Sequence, residues 1–179
     1  VFALIPFSYR EGNGAFFERL RFQPDQPLRI AVVDKGAPAR ARWFEADFAA
    51  IYHFGDAYER DGRLTVRAVQ HLDLEQARSP MRAAMNGDAQ GDAHGGKGAL
   101  RELVLDLRSG KAHWADTGVT GIECPVFDAR TPSRGAARLY APIPADGSTA
   151  PYFSRICAFG PPRGPRQVHD SGRAVLVEA

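Results

Sequence analysis

An all-β fold built from several antiparallel sheets is predicted by three observations. Short apolar or alternating runs recur along the whole chain, turn residues separate them, and helical periodicity is scarce. With 18 glycines and 13 prolines in 179 residues, turns dominate the connections. A sandwich, a barrel or the blades of a propeller would each satisfy this spacing, and no clean internal repeat selects among them.

The elements follow in order. Strands are predicted at 2–7, 28–33, 41–44, 48–54, 64–69, 100–107, 111–115, 138–141, 152–159 and 174–177. Residues 14–22 carry a helical signal, and a second short helix is predicted after Ser79, where Ser79-Pro80 supplies an N-cap and a first-turn proline. Arg60-Asp61-Gly62-Arg63 and Arg108-Ser109-Gly110-Lys111 are read as hairpin turns. The strand at 100–107 looks buried and the one after its turn more polar, which suits an antiparallel meander. Residues 85–98 form a polar, glycine-rich insertion, expected to be a flexible surface loop that carries a solvated His94. Gly91 and Gly96-Lys97 outline a phosphate-binding loop there, but Gly98 stands where Ser or Thr would hold magnesium and no buried strand precedes it.

Composition narrows the class. A chain of this length can bury a real core, and a hydrophobic content of 44% is ordinary for a globular protein. Twenty-three basic and 21 acidic residues are interspersed, so no basic surface for nucleic acid is expected. Cys124 and Cys157 lack metal-like spacing and form no disulfide framework, which fits a reducing, cytoplasmic compartment. No apolar run approaches the ~18 residues of a transmembrane helix, and no signal-like start is present. Peripheral contact with a membrane is left open. The chain begins at Val1 within an apolar run and ends on Glu178-Ala179, so a fragment of a longer protein is expected.

Residues 42–63 are the most informative stretch. The run from Phe48 to Phe54 is too short and too aromatic for a helix and places His53 inside an apolar strand. A buried imidazole needs a partner, either a hydrogen-bonding side chain or a metal such as iron, zinc or copper.

Arg42-Trp43-Phe44-Glu45, the strand bearing His53, and then Asp56-Ala57-Tyr58-Glu59 with Asp61-Gly62 resemble the carotenoid cleavage oxygenases, which include the lignostilbene dioxygenases. Asp56 stands where the family usually has Asn. Upstream, Phe22-Gln23-Pro24 and Pro27-Leu28-Arg29-Ile30 match, although Asp34-Lys35 replaces a common Pro-Arg. Downstream, Gly121-Ile122-Glu123-Cys124-Pro125 with Arg130, Arg138 and Tyr140 is similar to the family's Glu-Phe-Pro segment, Cys124 replacing its Phe. Glu178 is a weaker match to the acid of a later Glu-Pro segment, because Ala179 replaces its Pro.

The resemblance implies that residues 1–179 are an incomplete portion of a single seven-bladed β-propeller domain, with short helices in loops. It implies a non-haem Fe(II) held by four histidines, of which His53 is one; two others would lie before Val1 and one after Ala179. Glu123, and at the chain end Glu178, would be the carboxylates that orient ligating rings and offset the metal's charge. The reaction implied is cleavage of a C=C bond of a carotenoid or apocarotenoid by O2 to two carbonyl products, or the same chemistry on a lignin-derived stilbene, with the apolar substrate held in a tunnel. The fragment alone would be inactive. The rival class is a non-catalytic propeller or sandwich binding module with a structural His53; a zinc- or calcium-dependent hydrolytic propeller lacks any visible cluster of acids and histidines. Glu59 is expected to secure its turn, and Trp43, Phe44, Phe48 and Phe54 to lie in the core or line a tunnel. His71, His113 and His169 are expected to be exposed.

Overall fold

The computed structural model describes residues 1–13, 16–71, 98–128, 138–144, 153–159 and 167–172. In chain order its elements are β1 (Phe2–Leu4), β2 (Phe7–Tyr9), α1 (Phe16–Arg19), β3 (Leu20–Phe22), β4 (Leu28–Asp34), β5 (Ala37–Ala46), β6 (Ala50–Arg60) and β7 (Arg63–His71). They continue with β8 (Gly98–Asp106), β9 (Ala112–Ile122), β10 (Val126–Phe127), β11 (Leu139–Ile143), β12 (Arg155–Phe159) and β13 (Gln167–Asp170). The described strands form four sheets, ordered β1-β4-β5, β2-β3, β6-β7-β8-β9 and β10-β11-β12-β13. Every pairing is antiparallel, so the fold is all-β as expected.

Boundaries moved where local chemistry competes with hydrophobic pattern. The expected strand at 2–7 splits at Ile5-Pro6; Pro6 has no N–H to give a ladder, and its carbonyl instead accepts from Gln23 N at 3.0 Å. The helix expected over 14–22 shrinks to α1, because Leu20–Phe22 pair with Phe7–Tyr9. The polar strand after the second turn runs on to Ile122, seven residues past its expected end. The helix after Ser79, the loop at 85–97 with His94, and the strand at 174–177 lie outside the described residues.

Both predicted hairpins form. Arg60 pairs with Arg63 across Asp61 (φ 52°) and Gly62 (φ 73°), the double positive φ of a type I′ turn, which matches the twist of its strands. At the second, the Asp106 carboxylate accepts from Arg108 N at 2.9 Å and Ser109 N at 2.7 Å. These bonds hold its pKa below the ordinary aspartate value, with the Ser109 N–H contributing most.

The sheet β6-β7-β8-β9 is central because it is buried on both faces. On one, Val66, Ala68, Leu103 and Leu105 pack with Leu28, Ile30, Phe44 and Ala46 of the first sheet. On the other, Val69, Leu100, Val119 and Ile122 meet Leu139, Ala141, Cys157 and Phe159 of the last sheet. Each fully buried large side chain contributes about 1.5–3 kcal/mol. The indole N–H of Trp114 also ties the central sheet to the connection just after β5 by donating to Asp47 O at 3.1 Å.

Of the four aromatics expected in the core or along a tunnel, Phe44 is buried and Phe48 partly so, whereas Trp43 (48% exposed) and Phe54 (44%) lie outside the core. Alternation explains Trp43: with Phe44 facing the core its neighbour must face out, where the Arg29 guanidinium covers it at 4.8 Å.

Candidate metal centre

His53 stands where β6 departs from regular pairing. Ile51 faces Gln70, Phe54 faces Ala68 and Ala57 faces Val66, with register shifts in both intervals. Each interval takes three steps on β6 against two on β7, so two extra residues are inserted and side-chain alternation is reset twice. His53 is therefore partly exposed rather than buried in a regular strand, its side chain at 33%.

The structure brings His53 and Glu123 together across 70 residues of sequence. Glu123 follows the last residue of β9, and its Oε2 lies 3.0 Å from His53 Nδ1. A proton on Nδ1 donated to this carboxylate puts the lone pair, and hence the metal-donating atom, at Nε2. Cys124, the next residue, takes φ +43°, a left-handed conformation that costs a non-glycine residue about 1–2 kcal/mol. Its sulfur lies 3.9 and 3.8 Å from His53 Nδ1 and Nε2, against the imidazole. Neither Cys124 nor Cys157 is in a disulfide.

Glu123 has two imidazole neighbours, and the second overturns an expectation. His71 is not exposed; at the end of β7 it is buried, only 4% exposed, with its Nε2 against Glu123 Oε1. The two atoms are close, yet Nε2 makes no aligned hydrogen bond. The Tyr52 ring meets the His71 ring edge-on at 5.4 Å. Gly98, at the start of β8, closes the other side: a Cβ there would lie 3.2 Å from Glu123 Oε1 and 2.0 Å from Val69 Cγ1. His113 and His169 are exposed, as expected. Glu178 lies outside the described residues.

A third pairing went unread in the sequence. Arg67 extends Nε and Nη2 to the two Asp56 oxygens, Nη2 to Oδ2 at 2.5 Å, with both side chains at least 95% buried. The fork geometry suits two parallel charge-assisted bonds. The departure from the family's Asn at 56 thus has a counterpart, and an Arg in the middle of the apolar strand Leu64–Val69 was the available signal.

Among the described residues no group of three or more His, Cys, Asp or Glu side chains is arranged to hold a metal by itself. His53 could supply one ligand, with Glu123 orienting it. A cleft of about 550 Å³ lies elsewhere, at the β6–β7 turn, lined by Tyr58, Arg60, Arg63, Thr65, Asp106 and Arg108 among others. No helix among the described residues is long and apolar enough to cross a membrane.

Comparison with known proteins places the chain. The family model described as retinal pigment epithelial membrane protein matches residues 1–177. No curated protein matches. Among solved structures, a variant ACO/RPE65 chimera superposes with a TM-score of 0.76 at 13% identity, over 94% of this chain and 35% of its own. A point mutant of Synechocystis apocarotenoid oxygenase gives 0.68 at 15% identity, covering 87% and 31%. The cobalt-substituted Synechocystis ACO gives 0.69 at 14%, also over 87% and 31%. The chain thus spans about a third of the length of these structures. With the family model matched over residues 1–177 and the fold shared, the chain belongs to the retinal pigment epithelial membrane protein family, the carotenoid cleavage oxygenases that its His53 and Glu123 segments resemble.

Proposed function

We propose that the protein containing this chain is a non-haem Fe(II)-dependent dioxygenase that cleaves a C=C bond of a carotenoid or apocarotenoid with O2, and that His53 is one of its iron ligands. The observation that carries this reading is the 3.0 Å contact between His53 Nδ1 and Glu123 Oε2. It joins two segments that resemble the family's, and it leaves Nε2 as the donor atom of a neutral imidazole. A similar structure is described as cobalt-substituted, which supports a divalent metal in this fold. When bound, the iron would supply O2 activation.

This chain's own residues would orient and neutralise. Glu123 sets the plane of the His53 ring and places a negative charge near a dication that neutral imidazoles leave uncompensated. Phe54, adjacent to His53 and 44% exposed, offers apolar surface to a polyene. The four sheets would be part of a seven-bladed propeller. Exposed apolar residues on the outer sheets, Phe2 and Leu4 of β1 and Val126, Ile156 and Val168 of the last sheet, support neighbours on either side. One imidazole does not hold Fe(II) tightly, so the chain alone should be inactive.

The test is metal analysis and O2-dependent cleavage, assayed on an apocarotenoid and on a stilbene with the full-length protein. His53→Ala should lose both iron and activity. Stoichiometric iron and unchanged turnover in that variant would refute the reading, and cleavage of the stilbene alone would reassign the substrate class.

A further inference from the structure

We propose that His71 is a positioning residue for the metal ligand His53, acting through Glu123; the inference rests on the reading of His53 as a ligand. Three observations carry it. First, the Glu123 carboxylate is divided between two rings, Oε2 to His53 Nδ1 at 3.0 Å and Oε1 to His71 Nε2. Second, the His71 side chain is 3% exposed and fixed in place, its strand residue paired with Ala50 and its ring edge-on to Tyr52. Third, Gly98 bounds Oε1 on another side, since even a methyl group there would come within 3.2 Å.

The buried ring nitrogen of His71 needs a partner, and the Glu123 carboxylate, in a side chain 19% exposed, is the acceptor set against its Nε2–H. In this structure the two atoms are close without an aligned hydrogen bond. Without that anchor, Glu123 could turn about its last side-chain bond, and the His53 ring would lose the direction that presents Nε2 to a metal. Removing outer partners of this kind typically weakens metal binding about 10- to 100-fold. His71 is one contact further out than Glu123, so about tenfold is expected.

The experiment uses cobalt(II) as the probe in the full-length protein, reading affinity by competition with a chelator and ligand geometry by visible absorption. His71→Leu should weaken cobalt binding about tenfold and alter the spectrum, at the low end of the range for outer partners. His71→Gln, whose amide N–H occupies the position of Nε2, should restore both, whereas His71→Asn, whose amide falls short, should not. Wild-type affinity in a folded His71→Leu variant, with His53→Ala still deficient, would overturn the role of His71 and leave the ligand assignment standing. Unchanged cobalt binding in His53→Ala would overturn both. Should His71→Leu fail to fold, Gln and Asn decide: equal losses in the two would show that the imidazole serves packing alone.

Discussion

Gly98→Ala is a one-methyl change whose consequence can be worked from distances. A Cβ at 98 would lie 2.0 Å from Val69 Cγ1, 3.0 Å from Ile122 O and 3.2 Å from Glu123 Oε1. Carbon atoms in contact sit about 3.5–4.0 Å apart, so the overlap with Val69 is about 1.5–2 Å. Val69 is fully buried and β-branched, with few rotamers to escape into. The Ile122 carbonyl is backbone and moves only with β9. The expected cost is therefore about 3 kcal/mol, at the upper end of the range for overpacking. Urea unfolding of the full-length protein should show it as a lowered midpoint at unchanged slope. Adding Val69→Ala removes Cγ1, so the double variant should be about 2 kcal/mol more stable than the sum of the single effects, within the coupling range for touching residues. The remainder persists because Ile122 O and Glu123 Oε1 still crowd the methyl. Cobalt affinity should also fall, since Glu123 must yield. Additivity within about 0.5 kcal/mol would refute the clash, and unaltered cobalt affinity would refute the claim that Gly98 bounds the carboxylate.

Three further predictions concern buried residues and one turn. Arg67→Met strands the buried Asp56 carboxylate and should cost about 3–5 kcal/mol; Asp56→Asn on that background should recover most of it, and a double-variant cycle of melting curves checks the recovery. Leu103→Ala, at a site 1% exposed between the first and central sheets, should lower stability by about 2–5 kcal/mol in urea titration, and a cost below 1 kcal/mol would place Leu103 outside the core. The pKa of Asp106 is depressed in the folded state, so its contribution should be complete above the ordinary aspartate value and be lost as pH falls through the lower folded value. Between those two values stability should rise with pH, and Asp106→Asn should remove that part of the slope in unfolding curves taken from pH 2 to 6.

Much of the architecture was legible because hairpins announce themselves. Asp61-Gly62 and Ser109-Gly110 lie between β-rich runs, and both turns formed where read. Single short strands were less legible. β3, β10 and β13 have two to four residues each and exist because a neighbour offers a ladder, not because of their own pattern. At the site, His53 and Glu123 were readable through motif resemblance, whereas His71 was not. It follows Gln70 at the end of a strand, where polarity suggests a turn, yet that strand is covered on both faces and buries both residues. Arg67 was missed for the same reason: burial of a charge depends on a partner eleven residues away, across a turn.

The two bulges in β6 explain why Arg67 and Asp56 belong with the site rather than with the core. A strand carrying two extra residues has lost the alternation that normally fixes which way each side chain points. Apolar packing alone is a poor remedy, because it resists separation more than it resists rotation. A guanidinium fork on a carboxylate sets a distance and two angles at once, and Asp56 lies inside the second irregular interval, three residues after His53. Gly55 contributes beside Arg67: a Cβ there would meet Leu139 Cδ1 at 2.6 Å and lie 3.7 Å from Arg67 Cβ, so the absence of a side chain lets the last sheet approach the bulged strand closely. His53 is thus followed by a glycine that admits a neighbouring sheet and by an acid bonded to the next strand. Asn at 56 would offer Arg67 one acceptor oxygen in place of two and leave its charge unmatched. The acid at 56 and the arginine at 67 therefore have to be read as one feature, a clamp on the segment that presents the imidazole.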